Sequence, residues 1–353
     1  MTTLYLTEPR SLVKKDGDTL LVNIPADKAK DTAARNVRVP MMKVTQVVVM
    51  GDSTVTTPAL LALLEQKVDI SFCDYHGRFC GQLTSGLSRN GQLRLAQYAH
   101  HTDYGKRIAL ARCFVAGKLA NQRTLLLRSN RKLEDEAIVA AAATIQGVLV
   151  DVQQVEGIEE PINPSRPQAS SAMGSLQGLE GAGAAAYFGV FSRLLRHDLG
   201  FQRRVRRPPT DPVNALLSFG YTLLLNNVLS AISQVGLDPY VGYLHSSQYG
   251  KPALALDLME EFRTPVVDSV VITVINNRIL QSEHFSEQLG AYRLSDAGRR
   301  RFLEAFEERL AAEIEHPAFG YKASYRRCLE LQTRLVAKTV MGEIEQYPAF
   351  RVR

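Results

Sequence analysis

Cysteine is scarce and scattered. Cys73, Cys80, Cys113 and Cys328 are the only four in 353 residues, and no two form a C-x-x-C pair. Cys73 and Cys80 are spaced to face each other across a hairpin, but two thiols make at most half a zinc site. All four are therefore expected to be structural thiols, kept reduced in the cytoplasm. The opening residues, Met1-Thr-Thr-Leu-Tyr-Leu-Thr-Glu-Pro9, lack a basic segment followed by an apolar one, so no secretory leader is expected. The best membrane candidate, Ala169–Val190, holds Gln177 and Glu180 near its centre, where a carboxylate is costly in lipid. It is expected to be a buried, tightly packed helix of a protein that does not enter the membrane. The chain also lacks a P-loop, a G-x-G-x-x-G after a strand, an H-E-x-x-H and a G-x-S-x-G, and shows no internal repeat.

What is present divides in two. Hydrophobic residues make up 45% and charged residues 22%, ordinary for a globular chain, and the length exceeds one typical core. The periodicity gives an α+β protein: a β-rich domain over 1–86, a linker over 87–102 and a helical domain over 103–353. Ser11–Pro25 reads as a hairpin around Asp16-Gly17, Val44–Met50 as a β-branched strand, and Pro58–Gln66 as a short helix opened by proline. Val68–Cys73 and Arg78–Leu83 form another strand pair. From Leu87 the spacing turns helical, with helices over 103–128, 134–150, 170–196, 212–235, 253–276, 295–314 and 324–345. Glu156–Gln168, with Pro161, Pro164 and Pro167, must be a loop.

Net charge is +6, and its distribution says more than its size. Arg203, Arg204, Arg206 and Arg207 form one cluster, Arg299-Arg300-Arg301 a second and Arg326-Arg327 a third. Guanidinium forks match phosphate oxygens, and the plain alternative is a solvated helix face. Arg203, Arg204, Arg206 and Arg207 are the candidate DNA contacts.

Several ionisable groups stand where a purely structural chain rarely puts them. Glu180 is set among glycine and alanine in Gly178-Leu-Glu-Gly-Ala-Gly-Ala, and a carboxylate buried there needs a metal or a cationic partner. His245 sits in a loop between two apolar helices and offers a nitrogen that suits divalent ions, although a lone histidine is more often no ligand. Asp257, Glu260 and Glu261 share one helix face, where like charges repel by about a few tenths of a kcal/mol per pair and a cation relieves the cost. Glu180, His245, Asp257 and Glu260 together make a mixed oxygen and nitrogen set suited to Mg²⁺ or Mn²⁺ with positions left for water and substrate. Basic loops beside such a set suit an anionic polymer.

These segments resemble the CRISPR-associated integrase, the subunit that inserts spacers into a CRISPR array. The resemblance runs through Gly178–Ala184, Arg206-Arg-Pro-Pro-Thr-Asp211-Pro-Val-Asn214 to Tyr221, Gly242-Tyr-Leu-His245 and Leu254–Arg263, and extends to Val44–Gly51, Thr57–Leu64 and Val68–Gly81. It implies a β-sandwich-like N-terminal domain, a larger all-helical catalytic domain and a homodimer formed partly through the β domains. It implies Mg²⁺ or Mn²⁺ on Glu180, His245 and Glu260, with Asp257 nearby. Many members carry aspartate where this chain has Glu260, which leaves Asp257 and Glu260 as alternatives for the direct ligand. The implied reaction is transesterification, with the 3′-hydroxyl of a captured DNA fragment (a prespacer) attacking a phosphodiester beside the CRISPR repeat. The implied partners are a small ferredoxin-fold adaptation protein and, from Tyr347-Pro-Ala-Phe350, a RecB-like nuclease. A catalytically idle DNA-binding scaffold is the alternative, disfavoured because it has no need of four costly polar groups. A hydrolase of small phosphoesters is disfavoured by the long basic segments.

Overall fold

Asp16-Gly17 reverses the chain as expected, with Gly17 at φ 57, between β2 (Leu12–Asp16) and β3 (Thr19–Ile24). These strands belong to the first of two units in a computed structural model that describes residues 2–27, 32–75, 77, 79–85, 90–157, 171–206, 208–245 and 248–352. The units are Met1–Ser88 and Arg89–Arg353. Arg207 and most of the proline-rich segment, 158–170, lie outside the described residues.

In the first unit, β1 (Thr2–Leu6), β5 (Val44–Met50), β7 (Asp69–Cys73) and β8 (Phe79–Leu83) form one four-stranded sheet in that order. A second sheet runs β4-β3-β2-β6, with β4 at Arg35–Pro40 and β6 at Thr54–Val55. The β5 strand pairs in parallel with both β1 and β7. That central place explains its nearly unbroken apolar run, because a strand covered on both faces has no polar alternation to keep. Helix α1 (Thr57–Glu65), opened by Pro58, returns the chain from one sheet to the other. Val13, Leu20, Val22, Val47, Val49, Leu63 and Ile70 from both sheets and the helix share one core.

The second unit is mostly helix: α2 (Gly91–Thr102), α3 (Tyr104–Leu133), α4 (Glu136–Gln154), α5 (Ala172–Gly189) and α6 (Pro212–Val235). It continues through α7 (Ala253–Phe262), a π-helical turn at Arg263–Asp268 and α8 (Ser269–Asn276). Then come β9 (Phe285–Gln288), β10 (Ala291–Leu294), α9 (Asp296–Ala311), β11 (Glu313–Glu315), β12 (Lys322–Ser324) and α10 (Tyr325–Val340). Asp211 caps α6 by accepting from the Asn214 N–H at 2.8 Å, Pro212 takes the first turn, and Gly236 at φ 96 ends the helix. Among the described residues two helices, α4 and α6, have the length and hydropathy to cross a membrane. Of the α6 window 78% is buried within the protein, as for a core helix.

Four expectations are corrected. The unit is not all-helical: β9 pairs with β10 and β11 with β12. Leu289 and Gly290, both at positive φ (52 and 73), close the first pair with a primed turn, and Tyr292 N–H donates to Pro209 O at 2.9 Å. The strands are too short and polar to announce themselves. Residues 91–102, expected within a linker, are helix α2. The single helix over 253–276 is broken by a π turn at Pro265, whose ring removes one backbone donor. Helix α5 is not buried all round; its packed stripe is Leu176, Gly183 and Tyr187.

Candidate active site

Glycine sets the distances. A Cβ on Gly183 would lie 2.2 Å from the buried Leu119 side chain, so the bare backbone lets α5 close on α3. On the other side of α3 a Cβ on Gly117 would meet Glu261 Cγ at 3.0 Å, which brings α7 equally close. Lys118, between those contacts, is thereby pressed between Glu180 of α5 and Glu260 of α7. Its ammonium forms an ion pair with Glu180 Oε1 and lies 2.8 Å from Glu260 Oε2. The small-residue setting of Glu180 thus works as expected, with Lys118 as the cationic partner. Nothing in the sequence reading singled out Lys118.

Glu260 turns its other oxygen outward. Its Oε1 lies 3.1 Å from Arg263 and 4.0 Å from His245 Nε2. Burial would raise this carboxyl, but Arg263, Lys118 and His245 outweigh burial and hold it well below the usual carboxylate range. Arg263 is held in turn, its guanidinium 4.7 Å from the Tyr221 ring centre. Tyr221 and Tyr187 both donate to the buried Asp268, at 2.6 and 2.9 Å.

Asp257 does a different job. Its Oδ2 accepts from Tyr243 N–H at 2.5 Å and Leu244 N–H at 3.0 Å, and its Oδ1 accepts from His245 N–H at 2.9 Å. His245 Nδ1 lies 2.7 Å from the same Oδ1. A carboxylate only accepts, so Nδ1 carries a proton, and the other ring nitrogen, Nε2, faces Glu260. Both Asp257 oxygens are committed to the histidine loop. Gly242 lets that loop lie against α7: a Cβ there would fall 2.7 Å from the Ala253 backbone and 2.8 Å from Asp257 Oδ2. From the other side α2 supports the loop, with Gln97 Nε2 donating to Asp238 O and Val241 O at 2.9 and 3.0 Å and His101 Nδ1 2.6 Å from Gly242 O.

Glu180, Lys118, Glu260, His245 and Asp257 therefore form one continuous chain of contacts, and all four residues expected at the site lie in it. Among the described residues no three His, Cys, Asp or Glu side chains close on one point at bonding distance, since an ammonium stands between the two glutamates. The donor set nonetheless suits a hard divalent ion. It offers carboxylates from Glu180 and Glu260 and a correctly oriented imidazole, with 4.0 Å between His245 Nε2 and Glu260 Oε1. That separation is about twice a metal–ligand bond of ~2.0–2.2 Å.

The arginines part company. Arg203 and Arg206 are exposed. Arg204 instead turns in, donating to Val205 O, Asn214 Oδ1 and Ser218 Oγ at 2.7, 2.8 and 3.1 Å and lying over the Tyr221 ring. Behind α7, Tyr347 OH donates to Glu261 Oε2 at 2.9 Å, and Asn121 binds the carbonyls of Glu261 and Phe350 at 2.7 and 2.9 Å. The tail Tyr347–Phe350 is thus a buried strap across the back of the helix that carries Glu260.

The chain has relatives among known proteins. The chain is 38% identical, over 99% of its length, to a CRISPR-associated exonuclease Cas4/endonuclease Cas1 fusion of Geobacter sulfurreducens, and spans 60% of that longer protein. It is 35% identical to a CRISPR-associated endonuclease Cas1 of Thermus thermophilus, covering 99% of this chain and 97% of the relative. Among solved structures, a casposase bound to integration product shares the fold with a TM-score of 0.85 at 22% identity, over 100% of this chain and 95% of the other. A chain from a Cas6-RT-Cas1–Cas2 complex matches with a TM-score of 0.75 at 26% identity, over 100% of this chain and 36% of that one. Residues 4–308 match the family described as CRISPR associated protein Cas1, and the chain belongs to that family.

Proposed function

We propose that the protein is a metal-dependent DNA integrase and endonuclease that inserts short DNA fragments into a CRISPR array, with Glu180, His245 and Glu260 holding Mg²⁺ or Mn²⁺. The observation that carries this is the unbroken contact chain from Glu180 through Glu260 and His245 to Asp257 in a member of the Cas1 family. Glu260 is the acidic ligand rather than Asp257, because both oxygens of Asp257 already hold the 243–245 backbone and the His245 ring. Bound there, the ion supplies Lewis acidity to the phosphodiester.

The remaining work falls to the chain itself. Asp257 fixes the His245 tautomer and ring direction. Arg203 and Arg206 bind backbone phosphates, and Arg207 joins them. In the reaction the 3′-hydroxyl of the incoming fragment forms a new bond to phosphorus. The bond from phosphorus to the 3′-oxygen of the target strand breaks, and that oxygen takes up the proton the attacking hydroxyl loses. The number of phosphodiesters is unchanged, so no nucleophilic side chain and no external energy source is needed. The N-terminal unit, with two four-stranded sheets on one core, acts as a β-sandwich-like module for pairing two copies. A small ferredoxin-fold adaptation protein is the expected partner, supported by the solved Cas6-RT-Cas1–Cas2 complex, and a trimming exonuclease a second, supported by the Cas4/Cas1 fusion. The protein works in the cytoplasm.

A strand-transfer assay tests this, using labelled branched DNA that mimics half-site integration, Mn²⁺ or Mg²⁺, and the wild type beside Glu180→Ala and His245→Ala. Metal-dependent rejoining is expected, lost in both variants by more than the roughly 10–100-fold that removal of an outer-shell partner brings. A wild type that binds the DNA but neither cuts nor joins it, with or without the small partner, would give the idle scaffold the lead.

A further inference from the structure

We propose that Lys118 is a built-in counter-ion that holds the Glu180 and Glu260 carboxylates together before a metal arrives and then competes with the metal for them. The inference rests on the metal-site reading above and adds a residue that sets the affinity of the site. Lys118 differs from an ordinary buried ion pair in what it touches. Its ammonium contacts carboxylates from two different helices, α5 and α7, and both belong to the proposed ligand set.

Exposure gives the site a floor and an opening. The side chains of Lys118 and Glu260 are 7% and 3% exposed, whereas Glu180 and His245 are 21% and 22% exposed. A cation enters from the Glu180 and His245 side and meets an ammonium already seated behind it. Glu260 can serve both, since Oε2 faces Lys118 while Oε1 faces His245 and Arg263. Glu180 cannot do so through the same oxygen: its Oε1 is taken by the ammonium, which leaves its Oε2 to the ion. Lys118 has little room to retreat, because Gly117 and Leu119 on either side are packed against Glu261 and Gly183.

Two consequences follow from charge alone. Without a divalent ion, removing the ammonium leaves two carboxylates facing each other in a poorly solvated site, so the protein becomes less stable. With a divalent ion, removing the ammonium removes a repulsive charge within a few ångströms, so the ion binds more tightly. A purely structural lysine predicts the first effect and not the second, since a disordered site binds metal less well.

The experiment measures Mn²⁺ binding to the full chain from the electron paramagnetic resonance signal of free Mn²⁺, together with melting temperature in chelator and in excess Mn²⁺. It compares the wild type with Lys118→Met and Glu180→Gln. Lys118→Met is expected to bind Mn²⁺ about tenfold tighter or more. It is also expected to melt lower in chelator and to show a larger Mn²⁺-induced rise than the wild type. Glu180→Gln should lose binding. A folded Lys118→Met with unchanged or weaker Mn²⁺ affinity overturns the proposal while leaving the metal site standing. If the wild type binds no Mn²⁺ and Glu180→Gln changes nothing, the metal-site reading itself fails. Should Lys118→Met not fold, Lys118→Gln removes the charge while keeping a hydrogen-bond donor, and the same comparison decides.

Discussion

Two neighbouring glutamates on α7 meet opposite surroundings. Glu260 faces cations and is held ionised, whereas burial pushes the Glu261 carboxyl up to about 8, with hydrogen bonds from Tyr347, the Phe350 backbone and Gln332 offsetting only part of the rise. Its Oε1 accepts no hydrogen bond at all. The folded pKa lies above the unfolded value of roughly 4.3, so between those two values the native state keeps a proton that the unfolded chain has lost. The stabilising contribution is thus complete below pH about 4.3 and is lost as pH rises through about 8. Glu261→Gln, which cannot ionise, should melt close to the wild type at pH 5 and above it at pH 8.5, the gap widening by ~2–4 °C or more. Melting curves that stay parallel across that range would contradict the assignment. Sequence pattern exposed Glu180, His245, Asp257 and Glu260 because each is an ionisable group among small or apolar neighbours. Lys118 escaped notice because α3 also carries Lys106, Arg107, Arg112, Arg123 and Arg128, so one more basic residue carried no signal. Only packing between α5 and α7 distinguishes it.

At the scale of elements, the site depends on one loop held from two sides. Asp257 binds its backbone from α7, and Gln97 and His101 bind it from α2. That supporting role explains why 91–102 looked like a linker: only Leu93 and Gln97 of α2 are buried, so no apolar period marks it, and its reason for being there is polar. The longer helices α3, α4 and α6 were legible from their apolar spacing. The π turn at Pro265 was not, because the apolar pattern runs straight through it. Gly242→Ala tests the loop. Its Cβ would press on the Ala253 backbone at 2.7 Å, and backbone cannot rotate away as a side chain can, so the loop must lift with His245 on it. The expected cost is about 1–3 kcal/mol of stability, with Mn²⁺ affinity and strand transfer falling ~10–100-fold. Gly181→Ala, where an added Cβ meets nothing within 4 Å, is the control. Wild-type Mn²⁺ affinity in Gly242→Ala would mean that the loop tolerates displacement and that His245 is not positioned by it.

Over the whole molecule, a net charge of +6 overstates how much cationic surface is on offer to DNA. Arg299 is buried 3.5 Å from Asp296, Arg301 donates to Ile279 O at 3.1 Å, Arg326 reaches Glu307 at 2.6 Å and Asn227 at 3.0 Å, and Arg327 pairs with Glu330. Two of the three arginine clusters seen in the sequence are therefore largely occupied within the fold. In the third, Arg203 and Arg206 are exposed while Arg204 is tied to Asn214, Ser218 and Val205. Adjacent residues of one type should then give different phenotypes. Each phosphate contact contributes about 0.9 to the slope of log K against log salt on duplex DNA. The double variant Arg203→Ala/Arg206→Ala should weaken DNA binding and flatten that slope by ~1.8, with the melting temperature unchanged. Arg204→Ala should lower stability by about 1–3 kcal/mol through the hydrogen bonds it loses, and leave the slope where it was. Binding titrations at several salt concentrations, run beside thermal melts of the same variants, separate the two effects. An unchanged slope in the double variant would take this loop out of the DNA interface. A flattened slope in Arg204→Ala would mean that its guanidinium leaves Asn214 for phosphate when DNA binds.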